Sequence, residues 1–257
     1  MKLFIKLTFF FILLFAAQPV TSVFADSKSD YEYQYRQYRQ NYLEYTILKK
    51  DYLENPSLDN QQKAILAAKD TLQSRDLAKY HYAAYLISLI KEKNSGYSQI
   101  GPFIDKLENA KNFYRAEATK SQSIVIPADL KAFSQSYAEN AIEPDRSFRN
   151  GVIAVKVAHL VRFQIELKNG LDIILPKLAT PFSTPLNTRI EDLKIQGTKI
   201  NDSLDAFTNK LLSEEVSQNI DSESYFGDKS EILKNIRNQQ LKWIDGLIDI
   251  DINYAHS

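Results

Sequence analysis

The chain contains no cysteine, which excludes disulfides, thiol nucleophiles and thiolate metal sites together. Whatever stabilises the fold is packing. Histidine is nearly as scarce. His81, His159 and His256 lie in separate segments without HxxxH or HExxH spacing, so no zinc site is expected. His159 is expected to pack beside the buried stripe of its helix. Asp249, Asp251 and Asn253 imitate the start of a calcium loop, but Tyr254 stands where that loop requires glycine and no twelfth-position glutamate follows. GxSxG, GxGxxG and P-loop motifs are missing. Ser88-Leu89-Ile90-Lys91 matches SxxK without the SDN or KTG that accompany it in penicillin-binding enzymes. The acidic pair Glu214-Glu215 reads as a solvated helix face. The sequence therefore predicts no catalysis, no metal and no cofactor.

Neither sign of charge dominates: 32 Lys and Arg stand against 32 Asp and Glu. Nucleic-acid binding, which rests mainly on phosphate neutralisation, is not expected. Long apolar runs are also scarce, and the one at the N-terminus reads as a secretory signal over residues 1–25. Lys2 and Lys6 form its basic region, Leu7 to Ala17 its apolar stretch and Val23-Phe24-Ala25 its small-residue cleavage site. An uncleaved N-terminal anchor is the alternative, although the stretch is shorter than the roughly 20 residues that a spanning helix needs. Cleavage removes two lysines and no acid, leaving 30 basic residues against 32 acidic ones, a net charge of −2. The expected location is the periplasm, the cell surface or the exterior, with no spanning segment after cleavage.

Glycine and proline are sparse enough to act as punctuation. Asn55-Pro56, Gly101-Pro102, Pro127, Pro144 and the Pro176, Pro181 and Pro185 cluster divide the chain into runs of helical length. Three runs carry apolar residues spaced alternately by three and four, the pattern of helices packed side by side. One seam is Ile153, Val157, Leu160, Gln164, Leu167, Leu171, Ile174 and Leu178. A second is Leu186, Ile190, Leu193, Gly197, Ile200, Leu204, Phe207 and Leu211, and a third Leu233, Ile236, Gln240, Trp243, Leu247, Ile250 and Tyr254.

The first of these runs has a second apolar row of Phe148, Val152, Val155 and Phe163, which predicts burial on more than one side. Asn169-Gly170 suggests a hairpin turn there, but the implied register would set polar residues among apolar ones, so a helix is preferred. Residues 58–93, Pro102 to about Ser121, and 128–141 complete a set of seven helices. Arg75 and Lys79 interrupt the apolar row of the 58–93 run. The expected fold is all-α: an elongated antiparallel bundle with coiled-coil-like packing. Residues 26–257 form one domain, with a sub-boundary near 176–186 as the alternative.

What the chain has in abundance is tyrosine. Seven of its fifteen tyrosines fall between Tyr31 and Tyr52, and Tyr35, Tyr38, Tyr42, Tyr45, Lys49 and Tyr52 repeat the three-four spacing. The shared period favours a packed seam whose hydroxyls reach water. The competing reading makes Tyr31, Tyr35, Arg36, Tyr38, Arg39, Tyr42 and Tyr45 a surface that grips a partner, since tyrosine and arginine are enriched at interface hot spots. The expected role is a non-catalytic structural or protein-interaction module of the cell envelope or exterior. It would work through a protein partner or self-association of helix faces. A glycan- or ligand-binding protein using the tyrosine stripe and a periplasmic holdase chaperone are the alternatives.

Overall fold

A computed structural model describes residues 23–94, 96–178, 183–214 and 222–254. Residues 1–22, most of the segment expected to direct secretion, together with Pro181 and part of the sub-boundary expected near 176–186, lie outside the described residues. The described chain forms seven helices and no strand. They are α1 (Val23–Glu54), α2 (Leu58–Lys93), α3 (Gly101–Lys120), α4 (Pro127–Asn140), α5 (Ile142–Ile174), α6 (Thr184–Ser213) and α7 (Ser222–Tyr254).

Most boundaries follow the punctuation. Ser57 caps α2 by accepting from the Asn60 backbone N–H at 3.1 Å, and the Asp129 carboxylate caps α4 by accepting from Val125 and Ile126 N–H at 3.0 and 3.1 Å. Pro102 and Pro185 sit in the first turns of α3 and α6, where a missing N–H costs nothing. Pro144 likewise marks a boundary, since α4 ends at Asn140 and α5 begins at Ile142. It lies in the first turn of α5 for the same reason, while Pro176 ends that helix at Ile174. Asn169-Gly170 is inside α5 and makes no hairpin.

The bundle is organised around α5. Its predicted seam is buried from Ile153 to Leu178, and Phe148 from the second row is buried as well. Its N-terminal half meets α2 and α3: Asp145 bonds Lys79 and Tyr114, Phe148 packs between Tyr82 and Tyr114, and Gly151 lies against Leu107. Farther along, α6 and α7 take over. Consecutive long helices run antiparallel, so the next-but-one pair α5 and α7 runs parallel, with Lys156 near Ser230 and Gly170 near Leu247. The 36 residues of α2 make a rod of roughly 54 Å at the α-helical rise.

The odd members of the three seams meet in one layer. Gln240 is fully buried, and its Nε2 donates to the Leu160 carbonyl at 2.8 Å and to Gln164 Oε1 at 3.2 Å. Gly197 faces the indole of Trp243, so that a Cβ there would lie 3.5 Å from the ring. The indole Nε1 donates to the Leu193 carbonyl at 2.5 Å. Any slip of α7 along α5 would bury both amides among apolar side chains, so the layer sets the register of α5, α6 and α7. Gln240→Leu alone strands the Gln164 amide and should cost about 1–3 kcal/mol. Adding Gln164→Leu should recover most of that loss in urea unfolding, a non-additivity that a double-mutant cycle reads directly. Additive losses would contradict the pairing.

Candidate functional site

The tyrosine-rich helix α1 packs on α2 as an antiparallel hairpin. Ser27 meets Ser88 at 3.0 Å, Tyr31 meets Tyr82 and Tyr85, Asn41 meets Ser74 at 3.1 Å, and the Tyr52 hydroxyl accepts from Gln61 at 3.1 Å. This contact splits the predicted stripe. Tyr31, Tyr38, Tyr45 and Tyr52 are half-buried, and they alternate with half-buried Gln34, Asn41 and Leu48. Tyr35 and Tyr42, expected in the same seam, are 43% and 51% exposed.

The polar row wins because of what α2 offers. Its buried residues include Ala64, Ala67, Thr71, Ser74 and Ala78 at three-four spacing, small side chains that let α1 approach closely. Asn41 Nδ2 donates to Ser74 Oγ and to the Asp70 carbonyl, while Thr71 Oγ1 donates back to the Asn41 carbonyl at 3.0 Å. These bonds hold Asn41 inward and turn Tyr42 outward. Arg36 and Arg39 are exposed, and Lys49 lies 5.7 Å from the Tyr45 ring centroid. The candidate partner-binding residues therefore divide. Tyr31, Tyr38 and Tyr45 serve the hairpin, whereas Tyr35, Arg36, Arg39 and Tyr42 remain available to a partner.

No described side chain of α1 is buried. Its face away from α2 carries Tyr33, Leu43, Ile47 and Leu53 at 53%, 63%, 62% and 66% exposure. The four lie within a single helix and among charged neighbours, where the tyrosine period drew the reading to the other side. Their signal was readable in the sequence: Tyr33, Arg36, Gln40, Leu43, Ile47, Lys50 and Glu54 repeat the three-four spacing.

A second constellation was missed because its members come from four helices. Arg75 and Lys79, the interruptions of the α2 row, point into a polar cluster. Arg75 makes a bidentate pair with fully buried Asp76 at 2.8 and 3.0 Å and stacks 3.8 Å from the Tyr137 ring centroid. Lys79 donates to Asp145 at 2.7 Å and to the Tyr137 hydroxyl at 3.1 Å, and Tyr114 donates to Asp145 at 2.5 Å. Burial pushes the Asp76 carboxyl above the ordinary aspartate range, and the guanidinium beside it offsets part of that rise. Burial also raises the phenols of Tyr114, next to Asp145, and of Tyr137, near Asp76. Each charge is engaged by a partner from the cluster, so the arrangement ties α2 to α3, α4 and α5.

The remaining candidates take ordinary structural places. His159 is exposed rather than packed beside the seam, because it projects from the side of α5 opposite the Val157–Leu160 row. His81 is half-buried 4.0 Å from Asp30, and burial lowers its pKa against the pull of that carboxylate. His256 lies outside the described residues. Ser88 donates to the Tyr85 carbonyl at 2.7 Å, Asp249 pairs with Arg189 and accepts from Asn253 at 2.7 Å, and no cluster of metal-ligating side chains occurs among the described residues. A shallow cleft of about 300 Å³ between α5 and α6 is lined by Tyr97, Gln164, Lys168, Asn201 and Asp205. The Tyr97 hydroxyl donates to Asp205 at 2.7 Å there, and burial, aided by Asp205, pushes its pKa up to about 12. No helix among the described residues is long and apolar enough to cross a membrane. No family model, curated protein or solved structure matches the chain.

Two outcomes follow. Tyr38→Ala should lower the melting temperature and expose α1 to limited proteolysis, because a half-buried ring loses about half of the roughly 3–5 kcal/mol typical of buried aromatics. Tyr42→Ala should stay within about 0.5 kcal/mol of the parent, as surface changes do. Equal losses would contradict the split. The raised phenols set an alkaline limit. Tyr114 and Tyr137 are held up by burial, and Tyr97 and Tyr225 are raised to about 12. Their contribution is complete below the unfolded tyrosine pKa of about 10 and is lost as pH climbs from there toward the folded values. The urea midpoint should therefore fall between about pH 10 and 12, less steeply in Tyr114→Phe, and a flat profile would contradict the assignment.

Proposed function

We propose that this chain is an exported, non-catalytic helical module that binds protein through the outer face of α1. The observation that carries the reading is that α1, a helix of 32 residues, has no buried described side chain on either face, yet shows an apolar row to solvent. A helix that buried so little would gain little from its own hairpin alone, since helices in proteins are stabilised mainly by packing an apolar face. Two features support the wider assignment. The N-terminal charge, apolar stretch and small-residue site have the order of a secretory signal. Buried Asp76 and half-exposed Asp145 are committed to Arg75, Lys79 and Tyr114, which leaves them tied to structure and supports a role without catalysis.

A second reading has its own observation. Tyr35 and Tyr42 are exposed on the same flank of α1 as exposed Arg39, a composition on which a sugar could stack, and glycan binding would then use the flank of α1 rather than its outer row.

The test places a photo-crosslinking residue at Ile47 and, as a control, at exposed Ile195 on α6, in the producing cells. Protein adducts should form at position 47 and not at 195, and the mature N-terminus should be Asp26. Adduct-free chains at both positions, together with saccharide binding that Tyr42→Ala abolishes, would favour the glycan reading instead.

A further inference from the structure

We infer that the partner of the α1 outer face is a second copy of the same chain, aligned antiparallel about a two-fold axis level with Tyr45. The inference rests on the reading of α1 as an interaction face and names its occupant. The outward row is Tyr33, Arg36, Gln40, Leu43, Ile47, Lys50 and Glu54, all exposed. Read backwards, the row keeps its three-four spacing, which is what a two-fold contact demands of a helix that meets itself.

Antiparallel registers differ in what they bring together. With the axis level with Tyr45, Leu43 packs on Ile47 of the second copy and Ile47 on its Leu43, so the apolar residues are paired at the centre. Gln40 then faces Lys50, and Arg36 faces Glu54, at both ends. A shift by one heptad in either direction sets Leu43 against Gln40 or Glu54 and Ile47 against Arg36 or Lys50. A parallel alignment stacks Arg36 on Arg36 and Glu54 on Glu54. Only the register centred on Tyr45 joins apolar to apolar and opposite charges to each other, and such charge patterns are what select partner and orientation in paired helices.

The strength of the contact follows from the same residues. The row spans 22 positions, or roughly 33 Å of helix, and one helix pair covers an area at the low end of specific interfaces. Glu44, beside the axis, faces its own copy and subtracts from the attraction. Lys50 also bridges Glu54 within the chain at 3.7 Å, so Glu54 is shared between two cations. The assembly is a weak, reversible dimer in which two α1–α2 hairpins lie face to face, and it forms wherever the protein is locally concentrated.

The chain, produced from its whole gene and purified in the form the cells leave it, is examined by sedimentation equilibrium up to about 1 mM. A monomer–dimer equilibrium is expected. Arg36→Glu should weaken it by roughly tenfold, because two surface pairs turn from attractive to repulsive. Glu54→Arg should do the same, and the double variant should recover the parent affinity. Ile47→Glu should abolish the dimer without changing the melting temperature. The absence of native cysteine gives a test of register. Chains with Gln40→Cys mixed with chains carrying Lys50→Cys should form a disulfide-linked pair on oxidation, since this register sets positions 40 and 50 of the two copies opposite each other, and neither variant should link to itself. A monomer at all concentrations overturns the self-association, while foreign adducts at position 47 would keep the interaction face. A dimer indifferent to the charge reversals, or self-linking of either cysteine variant, overturns the antiparallel register.

Discussion

The fold depends on α5 having two apolar sides. A helix with one apolar stripe is satisfied by a single neighbouring layer, but α5 buries Ile153, Val157, Leu160, Leu167 and Leu171 on one side and Phe148, Ala154, Ala158 and Val161 on another, and must be covered twice. The helices α2 and α3 cover its first half, and α6 and α7 cover it from Asn150, which accepts from the Tyr225 hydroxyl, to its end. The molecule is therefore long rather than round: the two coverings are offset along a 33-residue axis. With no disulfide to assist, the offset layers hold by shape and by a few buried polar contacts whose geometry leaves little freedom.

Those polar contacts occur at two levels. Toward the C-terminal half of α5, Gln164 and Gln240 fix the register where Gly197 faces Trp243. At the other end, Arg75, Asp76, Lys79, Tyr114, Tyr137 and Asp145 join four helices. A buried ion pair adds little net stability, because desolvation consumes most of its attraction. Its effect is to penalise wrong arrangements, since each alternative packing would leave an unpaired charge inside. An aromatic chain connects this cluster to the hairpin: Tyr31 touches Tyr82, Tyr82 touches Phe148, and Phe148 stacks on Tyr114 with centroids 4.9, 5.5 and 5.2 Å apart. The otherwise solvated α1 is thus anchored to the core near its N-terminal end.

The contrast between α1 and the rest of the bundle is what leaves Leu43, Ile47 and Leu53 open to solvent. Seams elsewhere are aliphatic and closed. The hairpin seam is made of phenols, amides and hydroxyls against small residues, and such contacts exchange with water at little cost. A helix held this way presents its other face without being needed for the core, and the recognition proposed for that face would not disturb the bundle.

Helix boundaries and the three aliphatic seams were legible in the sequence because both are local: proline and glycine act on their own neighbours, and the three-four spacing belongs to one helix at a time. Their odd members, Gly197, Gln164 and Gln240, were readable as exceptions, and only packing showed that they meet. The tyrosine stripe marks where local reading stops. Two rows on α1 share Tyr31, Tyr38, Tyr45 and Tyr52, one completed by Tyr35 and Tyr42 and the other by Gln34, Asn41 and Leu48, and hydrophobicity alone prefers the first. The tertiary structure chose the second, because Ser74, Thr71 and the Asp70 carbonyl of α2 bond Asn41. The same holds for Arg75 and Lys79, which look like faults in a seam until Tyr137 and Asp145 arrive from helices distant in sequence to meet them. Periodicity determines that a side chain faces inward; which groups wait there to pair with it is decided only when the helices come together.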